Sequence, residues 1–271
     1  STGSSGPAAV VVAVSVLTGP VCQYESGLSC IDAVRRGSTV YLYADRTAQA
    51  AERIGRSDQE SLPGLVMPYT EWLWARMDRD LGPAPSVLFV GGGGYTLPTR
   101  LLSMRPDAET VAVEIDPLVT WTVRQHMPGA GAMIERVGYD ARADEPRDDT
   151  DRFGIVHADG RVYINETQHR FDAVVMDAFS SGSVPAHLAT LETYERLQEI
   201  SNGPIYVNLI DAPDGPLARG INAILRNLYP HVEAVQGPVG VNGRANILLA
   251  ASRHRLVPLV SLPTDYAPAE I

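Results

Sequence analysis

Residues 86–94 read SVLFVGGGG, a short apolar run that passes directly into four consecutive glycines. The first five residues have the β-branched and aromatic composition of a buried strand. Because glycine has no side chain, consecutive glycines let the backbone turn sharply and approach a ligand closely. A strand followed by such a turn is typical of the ligand loop in open α/β sheets. The segment therefore predicts a sheet of this class, with a ligand bound over Gly91–Gly94.

Alternating strands and helices extend along the chain around this segment. Further strands are predicted at residues 110–115, 154–157, 171–176 and 204–210, with a final pair at 232–235 and 246–251. Apolar residues at helical spacing and helix-boundary signals predict helices at 69–81, 97–104, 117–126 and 218–228. Strands separated by helices indicate a parallel, doubly wound sheet, and the final pair resembles a hairpin that closes one edge.

The chain before this alternation has a different pattern. Residues 24–49 are strand-like, with a hairpin that turns at Gly37 and Ser38, and residues 50–63 are polar and loop-like. The full length of 271 residues suits one large α/β domain with a small appendage. We therefore predict three parts. They are a tag or processing remnant with an apolar segment (1–20), an N-terminal β domain (21–62) and a Rossmann-like domain (63–271).

The composition restricts the class of partner. Hydrophobic residues make up 45% of the chain, as in ordinary globular proteins, and the formal net charge is -10. An acidic protein repels phosphate backbones, so nucleic acid is not an expected partner. The charge permits a cationic small molecule as substrate, although solubility alone explains an acidic surface.

Cys22 and Cys30 are the two cysteines of the chain, and no CxxC pair or His/Cys cluster indicates a metal site. Their spacing permits a small disulfide, which would imply an oxidising compartment, or two free thiols. Before them, residues 8–17 read AAVVVAVSVL. A spanning helix needs about 20 residues. The run is thus either the end of a membrane-spanning segment or a buried strand.

Acidic residues follow three of the predicted strands. Glu114 ends the strand after the glycine loop, Asp159 with Gly160 ends the next, and Asp177 ends the one after that. Ligands of open α/β sheets bind at these strand ends, where a carboxylate can accept both hydroxyls of a ribose. The dinucleotide fingerprint GxGxxG fails, because Thr96 stands at its third glycine. The set therefore favours an adenosyl group over a nicotinamide or flavin dinucleotide.

Four segments carry a family resemblance: VLFVGGGGYTLPTRLL, VAVEIDP, VHADGRVYI and FDAVVMDAFSSGSVPAHLATLETYERL. Together with YLYADRTAQ and MPYTEWL, they resemble the spermidine synthase (polyamine aminopropyltransferase) superfamily. The resemblance implies a Rossmann-like, class I S-adenosylmethionine-dependent methyltransferase fold behind a small N-terminal β domain. It also implies that an adenosyl sulfonium donor, decarboxylated or intact S-adenosylmethionine, is bound without a metal. The implied donor-binding residues are Gln49, Gly91, Gly92, Gly93, Gly94, Glu114, Asp159, Gly160 and Asp177.

The chain departs from that family where the acceptor amine is recognised. Gly94 stands where the family has an aspartate that holds the aminopropyl ammonium, Thr70 replaces a histidine, and Ser180 replaces a second aspartate. A protonated amine cannot attack a sulfonium carbon, so a base is needed. Asp177 is the candidate base, with Tyr69 beside it. These departures predict weak discrimination against intact S-adenosylmethionine and poor use of putrescine.

Three hypotheses follow for the function. The first is a transferase that moves an aminopropyl group to an amine, the second a methyltransferase, and the third a non-catalytic adenosyl-binding domain of a membrane protein. His187 and Tyr95 either line the altered pocket or serve packing and surface roles. GGGGYTLP and SVPAHLAT resemble the family branch in which membrane helices precede this domain. We therefore expect a membrane-associated, extracytoplasmic protein, with a cytoplasmic location as the alternative. A homodimer is a separate open possibility.

Overall fold

The computed structural model describes residues 22–54, 64–142, 150–178, 185–259 and 265–271. Its helices are α1 (Pro68–Asp80), α2 (Thr96–Met104), α3 (Pro117–His126), α4 (Pro128–Val137), α5 (Gly160–Glu166), α6 (Leu191–Ile200) and α7 (Pro216–Leu228). The first strands are β1 (Tyr24–Glu25), β2 (Cys30–Arg36), β3 (Thr39–Ala44), β4 (Thr47–Arg53) and β5 (Gly64–Leu65). The later strands are β6 (Ser86–Val90), β7 (Glu109–Glu114), β8 (Gly138–Asp140), β9 (Phe153–His157), β10 (Ala173–Met176), β11 (Ile205–Asp211), β12 (His231–Gln236), β13 (Ala245–Ser252) and β14 (Ala267–Pro268).

Strands β1 to β5 form a small antiparallel sheet in chain order. The predicted hairpin is confirmed by β2 and β3, which pair from Ile31↔Ala44 to Arg36↔Thr39. Gly37 in its turn has a φ of +59°, a backbone conformation that glycine adopts without steric cost.

The prediction of a polar loop from residue 50 onward is wrong for residues 50–53, which belong to β4. Ala50 and Ala51 are buried, and Glu52 is only 1% exposed. The Glu52 carboxylate accepts two backbone N–H groups from the start of α4, at 2.6 and 3.0 Å. Burial raises the pKa of Glu52, and these two bonds oppose the rise. The carboxylate is therefore a partner for the unpaired N–H groups of a helix start.

The nine remaining strands form one large sheet in the order β14–β12–β13–β11–β10–β6–β7–β9–β8. Neighbouring strands from β11 to β8 in this order are parallel. The last long strand, β13, lies antiparallel between β11 and β12. The predicted parallel sheet with a final hairpin at one side is thus confirmed.

Buried side chains form one hydrophobic cluster on each face of the large sheet. Val87 and Phe89 of β6 belong to one cluster, and the alternate residues Leu88 and Val90 belong to the other. This alternation is the two-residue period of a strand buried on both faces. The first cluster also contains Ile31 and Leu42 of the small sheet, so the small sheet is packed into the same core.

Helix α1 is fixed to the large sheet by a buried arginine. Arg76 is fully buried and forms a two-pronged ion pair with Asp80, with N–O distances of 2.7 and 2.9 Å. It also donates to Glu233 of β12 at 3.2 Å, and Tyr206 of β11 donates to Asp80 at 2.9 Å. A buried guanidinium is stable only when it is paired in this way. The cluster therefore holds the helix that carries Tyr69.

The expectation of a membrane-associated protein is wrong for the part of the chain that the structure describes. None of the helices in that part is both long and apolar enough to cross a bilayer. The apolar run at residues 8–17, on which the expectation was partly based, lies outside the described residues.

Of the two alternatives for the cysteines, the structure has the disulfide. Cys22 and Cys30 are bonded, with their Cα atoms 5.7 Å apart. The bond closes a loop that leads into β2 and that contacts Asp116, just after β7 of the large sheet, through Ser26 and Ser29.

Removal of this bond by the double substitution Cys22→Ser, Cys30→Ser should lower the free energy of unfolding by about 2–3 kcal/mol, because the unfolded chain gains loop entropy. Urea unfolding of both proteins measures the difference, and a reductant should affect only the original protein. Two cysteines that react with an alkylating reagent in native, unreduced protein would contradict the disulfide.

Candidate functional site

A cavity of about 640 Å³ lies at the carboxyl ends of the central parallel strands, with the small sheet on its other side. This is the position at which open α/β sheets bind ligands. Most of the predicted site residues line it: Gln49, Tyr69, Gly91, Gly93, Glu114, Asp159, Gly160 and Asp177. Gly92 and Gly94 are buried behind the lining residues. Ser180 lies outside the described residues.

Gly91 and Gly93 give the loop after β6 its shape. Gly91 has a φ of +101°, and a Cβ at this position would lie 2.4 Å from the carbonyl oxygen of Asp177. Gly93 has a φ of +50° with open space beside its Cα. Residues with side chains rarely adopt these conformations, and at Gly91 they would also clash. The loop thus presents bare backbone to the cavity.

Gly92 and Gly94 are needed for packing behind the loop. A Cβ on Gly92 would come within 2.8 Å of the Tyr95 ring, and one on Gly94 within 2.3 Å of the Ala50 Cβ and 2.9 Å of the Met127 Cε. Position 94 is therefore closed by the small sheet and by the residue that precedes α4. The structure gives a carboxylate at this position no room, which is a physical reason for its absence.

Gly94→Asp should destabilise the protein by about 1–3 kcal/mol, because the new side chain would be forced against Ala50 and Met127. Urea unfolding measures the loss. The double variant Gly94→Asp, Ala50→Gly removes the nearest obstacle and should recover part of it. A single Gly94→Asp variant as stable as the original protein would show that the loop has space that the structure does not give it.

Glu114 connects the glycine loop to the end of β7. Its carboxylate accepts the backbone N–H of Gly92 at 3.0 Å and that of Asp116 at 2.9 Å. The side chain is 8% exposed, and burial raises its pKa while these backbone bonds oppose the rise. Each carboxylate oxygen keeps a further lone pair. Glu114 can therefore hold the loop and still accept a hydroxyl of a ligand.

Asp116 is a residue of the cavity wall that the sequence reasoning missed. One of its oxygens accepts the N–H of Leu118 at 3.0 Å and caps α3, and the other accepts the hydroxyls of Ser26 (2.5 Å) and Ser29 (2.9 Å). Both serines lie in the disulfide-closed loop, and Ser29 itself lines the cavity. An aspartate directly before Pro117 is a helix-start signal that would have predicted the cap, but not the serines.

Asp159 caps α5 and faces a histidine. One carboxylate oxygen accepts the N–H groups of Arg161 (2.8 Å) and Val162 (3.2 Å), and the other accepts a bond from His187 Nε2 at 3.0 Å. His187 lines the cavity and is about half exposed. Its interpretation as a pocket residue is therefore correct as far as position is concerned.

Tyr95 belongs to the core and not to the cavity lining. Its side chain is fully buried, and its ring packs edge-on against Phe153 at a centroid distance of 5.7 Å. Its hydroxyl hydrogen-bonds Thr120 Oγ1 at 2.6 Å, and burial raises its pKa far above the usual range. The packing alternative for Tyr95 thus describes it correctly.

Asp177 and Tyr69 lie together at the end of β10. Burial raises the pKa of the Asp177 carboxyl to about 6, while hydrogen bonds from Asn208 and Tyr69 oppose that rise. The Tyr69 hydroxyl also lies 3.2 Å from the carbonyl oxygen of Gln49, and its single proton serves one of the two acceptors at a time. A carboxyl with this pKa can change its protonation state near neutral pH, as a general base must.

Two further polar residues, Asn208 and Asn246, line the cavity beside Asp177. Asn208 Nδ2 donates to Asp177 Oδ1 at 2.7 Å, and Asn246 Nδ2 donates to Asn208 Oδ1 at 2.8 Å. The sequence reasoning assigned them no role. The available signal was a polar residue inside the apolar strand IYVNLI, since buried amides need partners.

The lining is strongly acidic. Among the described residues it includes five carboxyl groups and no arginine, and the chain contains no lysine. The five are Asp45, Glu114, Asp116, Asp159 and Asp177. Carboxylates gathered in a partly enclosed space stabilise a bound cation and disfavour an anion.

The raised pKa of Asp177 makes a prediction about stability. Its native pKa of about 6 exceeds the ordinary 3.8, so the native state holds the proton more tightly between these values. Stability should therefore fall as the pH rises through this window, and the loss is complete above it.

The substitution Asp177→Asn removes this proton equilibrium. When the pH is raised from about 4 to about 8, the original protein should lose stability because its native state gives up a tightly held proton, and the variant has no such proton to lose. The variant should therefore gain stability relative to the original protein. Urea unfolding at the two pH values measures the change. A difference between the two proteins that does not vary with pH would show that Asp177 has an ordinary pKa.

Comparison with known proteins adds sequence relatives. No family model matches the chain. A polyamine aminopropyltransferase of Vibrio vulnificus is 26% identical over 171 residues, which cover 60% of this chain and 50% of the relative. One of Enterobacter is 31% identical over 128 residues, 46% of this chain and 39% of the relative. The chain has homologues among the polyamine aminopropyltransferases. It spans half or less of the length of these two relatives.

Solved structures confirm the predicted fold. A probable spermidine synthase from Corynebacterium glutamicum superposes with a TM-score of 0.72 and 18% identity, over 93% of this chain and 92% of that one. Human methyltransferase-like protein 13 superposes with a TM-score of 0.53 and 21% identity, over 73% and 86% of the two chains. The chain therefore has the Rossmann-like class I methyltransferase fold with the N-terminal sheet, as in spermidine synthases.

Proposed function

We propose that the protein transfers an aminopropyl group from an adenosyl sulfonium donor to an amine. The observation that carries this proposal is the ordered set of groups along the sheet edge: bare backbone at Gly91 and Gly93, then Glu114 and Asp159 on one side and Asp177 on the other. The names of the sequence relatives support the same reaction.

The cavity fits the parts of such a donor. Gly91 and Gly93 line the cavity with backbone that carries no side chain, which suits close approach of a nucleoside. The Glu114 carboxylate can accept ribose hydroxyls, and Asp159 with Gly160 borders the place of the base. The acidic lining stabilises the positive sulfonium. Gln49 and Asp177 flank the reacting carbon in this arrangement.

Asp177 supplies the proton chemistry in this proposal. An acceptor amine enters as an ammonium ion, and the ionised carboxylate of Asp177 takes one of its protons. The neutral nitrogen then attacks the propyl carbon bonded to sulfur, the carbon–sulfur bond breaks, and methylthioadenosine leaves as a neutral thioether. Tyr69 donates to Asp177 and orients it.

A methyltransferase that uses intact S-adenosylmethionine is the second candidate. The observation that favours it is the closed space at Gly94, which lacks the carboxylate that would repel the methionine carboxylate. The two candidates differ in the group transferred and in the by-product, methylthioadenosine or S-adenosylhomocysteine.

The donor site is tested by binding of methylthioadenosine, which should raise the melting temperature of the protein. Glu114→Gln should weaken binding by about tenfold or more, since a charged hydrogen bond to the ligand is lost. Glu109→Gln, an exposed position at the start of the same strand, is the matched control and should bind normally. Calorimetry gives the dissociation constants.

Turnover then distinguishes the two candidate reactions. Release of methylthioadenosine from decarboxylated S-adenosylmethionine and an amine supports aminopropyl transfer. Release of S-adenosylhomocysteine from the intact donor supports the methyltransferase instead. Failure of all these adenosyl compounds to bind would refute both candidates.

A further inference from the structure

Beyond Asp177, a line of carboxamides continues across the sheet. Asp177 follows β10, Asn208 lies on the neighbouring β11, and Asn246 lies on β13, the next strand again. Hydrogen bonds of 2.7 and 2.8 Å join the three side chains in this order. All three line the cavity, and Asn208 is only 3% exposed. The three groups are therefore fixed relative to one another.

The other acidic groups of the lining lie in the other half of the cavity. Glu114 ends β7, Asp116 follows it, and Asp159 follows β9; both strands lie on the opposite side of β6 from β10. Asp45 accepts the backbone N–H of Cys30 at 3.0 Å, beside the loop whose serines bind Asp116. Among the described lining residues, the half over β10, β11 and β13 thus has one carboxyl group.

We propose that the acceptor carries one amine and a neutral, hydrogen-bonding far end, as an amino alcohol does, and that Asn208 and Asn246 select it. This inference rests on the proposed aminopropyl transfer. The amine would bind at Asp177, and its chain would extend over β11 and β13 past Ile210, which also lines the cavity.

The chemistry of the carboxamides carries the selection. Each asparagine side chain has two N–H donors and two lone pairs, of which the chain to Asp177 uses only part. A hydroxyl can both donate to and accept from such a group. The second ammonium of a diamine would instead lose its hydration without an anionic partner, which is unfavourable. A diamine is therefore the poorer acceptor.

The reaction balances with this acceptor. The ammonium of the amino alcohol gives one proton to the Asp177 carboxylate, and the neutral nitrogen forms a bond to the propyl carbon while the carbon–sulfur bond breaks. The sulfur keeps the electron pair and leaves as methylthioadenosine. The product is a secondary ammonium ion that retains the hydroxyl, and Asp177 returns its proton to solvent.

The test compares aminobutanol with putrescine, which has the same chain length and a second amine in place of the hydroxyl. With decarboxylated S-adenosylmethionine as donor, kcat/KM for release of methylthioadenosine should be higher with aminobutanol than with putrescine by about tenfold or more. This factor corresponds to one charged group left without its hydrogen-bond partner. Equal use of both amines, or a preference for putrescine, would overturn the proposal.

Asn246→Asp supplies a carboxylate in place of the second carboxamide. The variant should move the ratio of the two kcat/KM values by about tenfold toward putrescine, for the same reason. Asn227→Asp adds the same charge on the exposed face of α7 and should leave the ratio unchanged. If both variants changed the ratio equally, the change would come from net charge and not from position 246. That result would refute selection of the acceptor by the carboxamides.

Failure of the proposed reaction can be told apart from failure of this inference. If neither amine gives methylthioadenosine, aminopropyl transfer itself is refuted. Calorimetry of the two amines with protein saturated with methylthioadenosine then tests recognition of the acceptor separately from the reaction. Tighter binding of aminobutanol supports the selection by the carboxamides. Tighter binding of putrescine, or no binding of either amine, overturns it. If Asn246→Asp fails to fold, the comparison on the original protein is decisive.

Discussion

The hydrogen bond from the Gly92 N–H to the buried carboxylate of Glu114 is the contact on which the cavity depends. It joins the turn after β6 to the end of β7, so the two strand ends cannot move independently. The same carboxylate accepts the N–H of Asp116, the residue that caps α3. A single buried acid thus positions the glycine loop, a helix start and one wall of the site. The side chain also lines the cavity and keeps further lone pairs, so its structural and proposed binding roles can use different parts of one group.

The small sheet completes the site from the other side. Gln49 of β4 contributes its carbonyl oxygen to Tyr69, while Ala50 closes the space at Gly94. The disulfide-closed loop bonds to Asp116 through its two serines, so the N-terminal strands are tied to the same strand ends that hold the proposed donor site. Because Ile31, Leu42 and Ala50 of the small sheet share one hydrophobic core with the large sheet, the cover and the floor of the cavity belong to one packed unit.

Much of the large sheet and of the cavity lining at its strand ends could be predicted from the sequence. The strand at 86–90, the glycines after it, and Glu114, Asp159 and Asp177 each follow from a local signal, namely an apolar run and the polar residue that ends it. Glu52 and Asn208 could not be assigned in this way. Their partners, the first turn of α4 and Asp177, lie 77–78 and 31 residues away in the chain. Only the folded arrangement shows that these polar groups are satisfied, so the pattern at residues 50–53 predicts a loop when the sequence is considered alone.

The chain's departures from the aminopropyltransferase pattern acquire a physical meaning in this arrangement. At Gly94 the missing carboxylate is excluded by the closeness of Ala50, so its loss follows from the packing of the small sheet against the loop. At the other end, Asp177 accepts hydrogen bonds from the neutral side chains of Asn208 and Tyr69, which oppose the rise of its pKa without adding charge. A second carboxylate at that distance would raise the pKa of Asp177 further by like-charge repulsion and delay its ionisation. Because its hydrogen-bond partners are neutral, the pKa of buried Asp177 stays near neutral pH. The proposed role of Asp177 as the base for a single amine requires such a pKa.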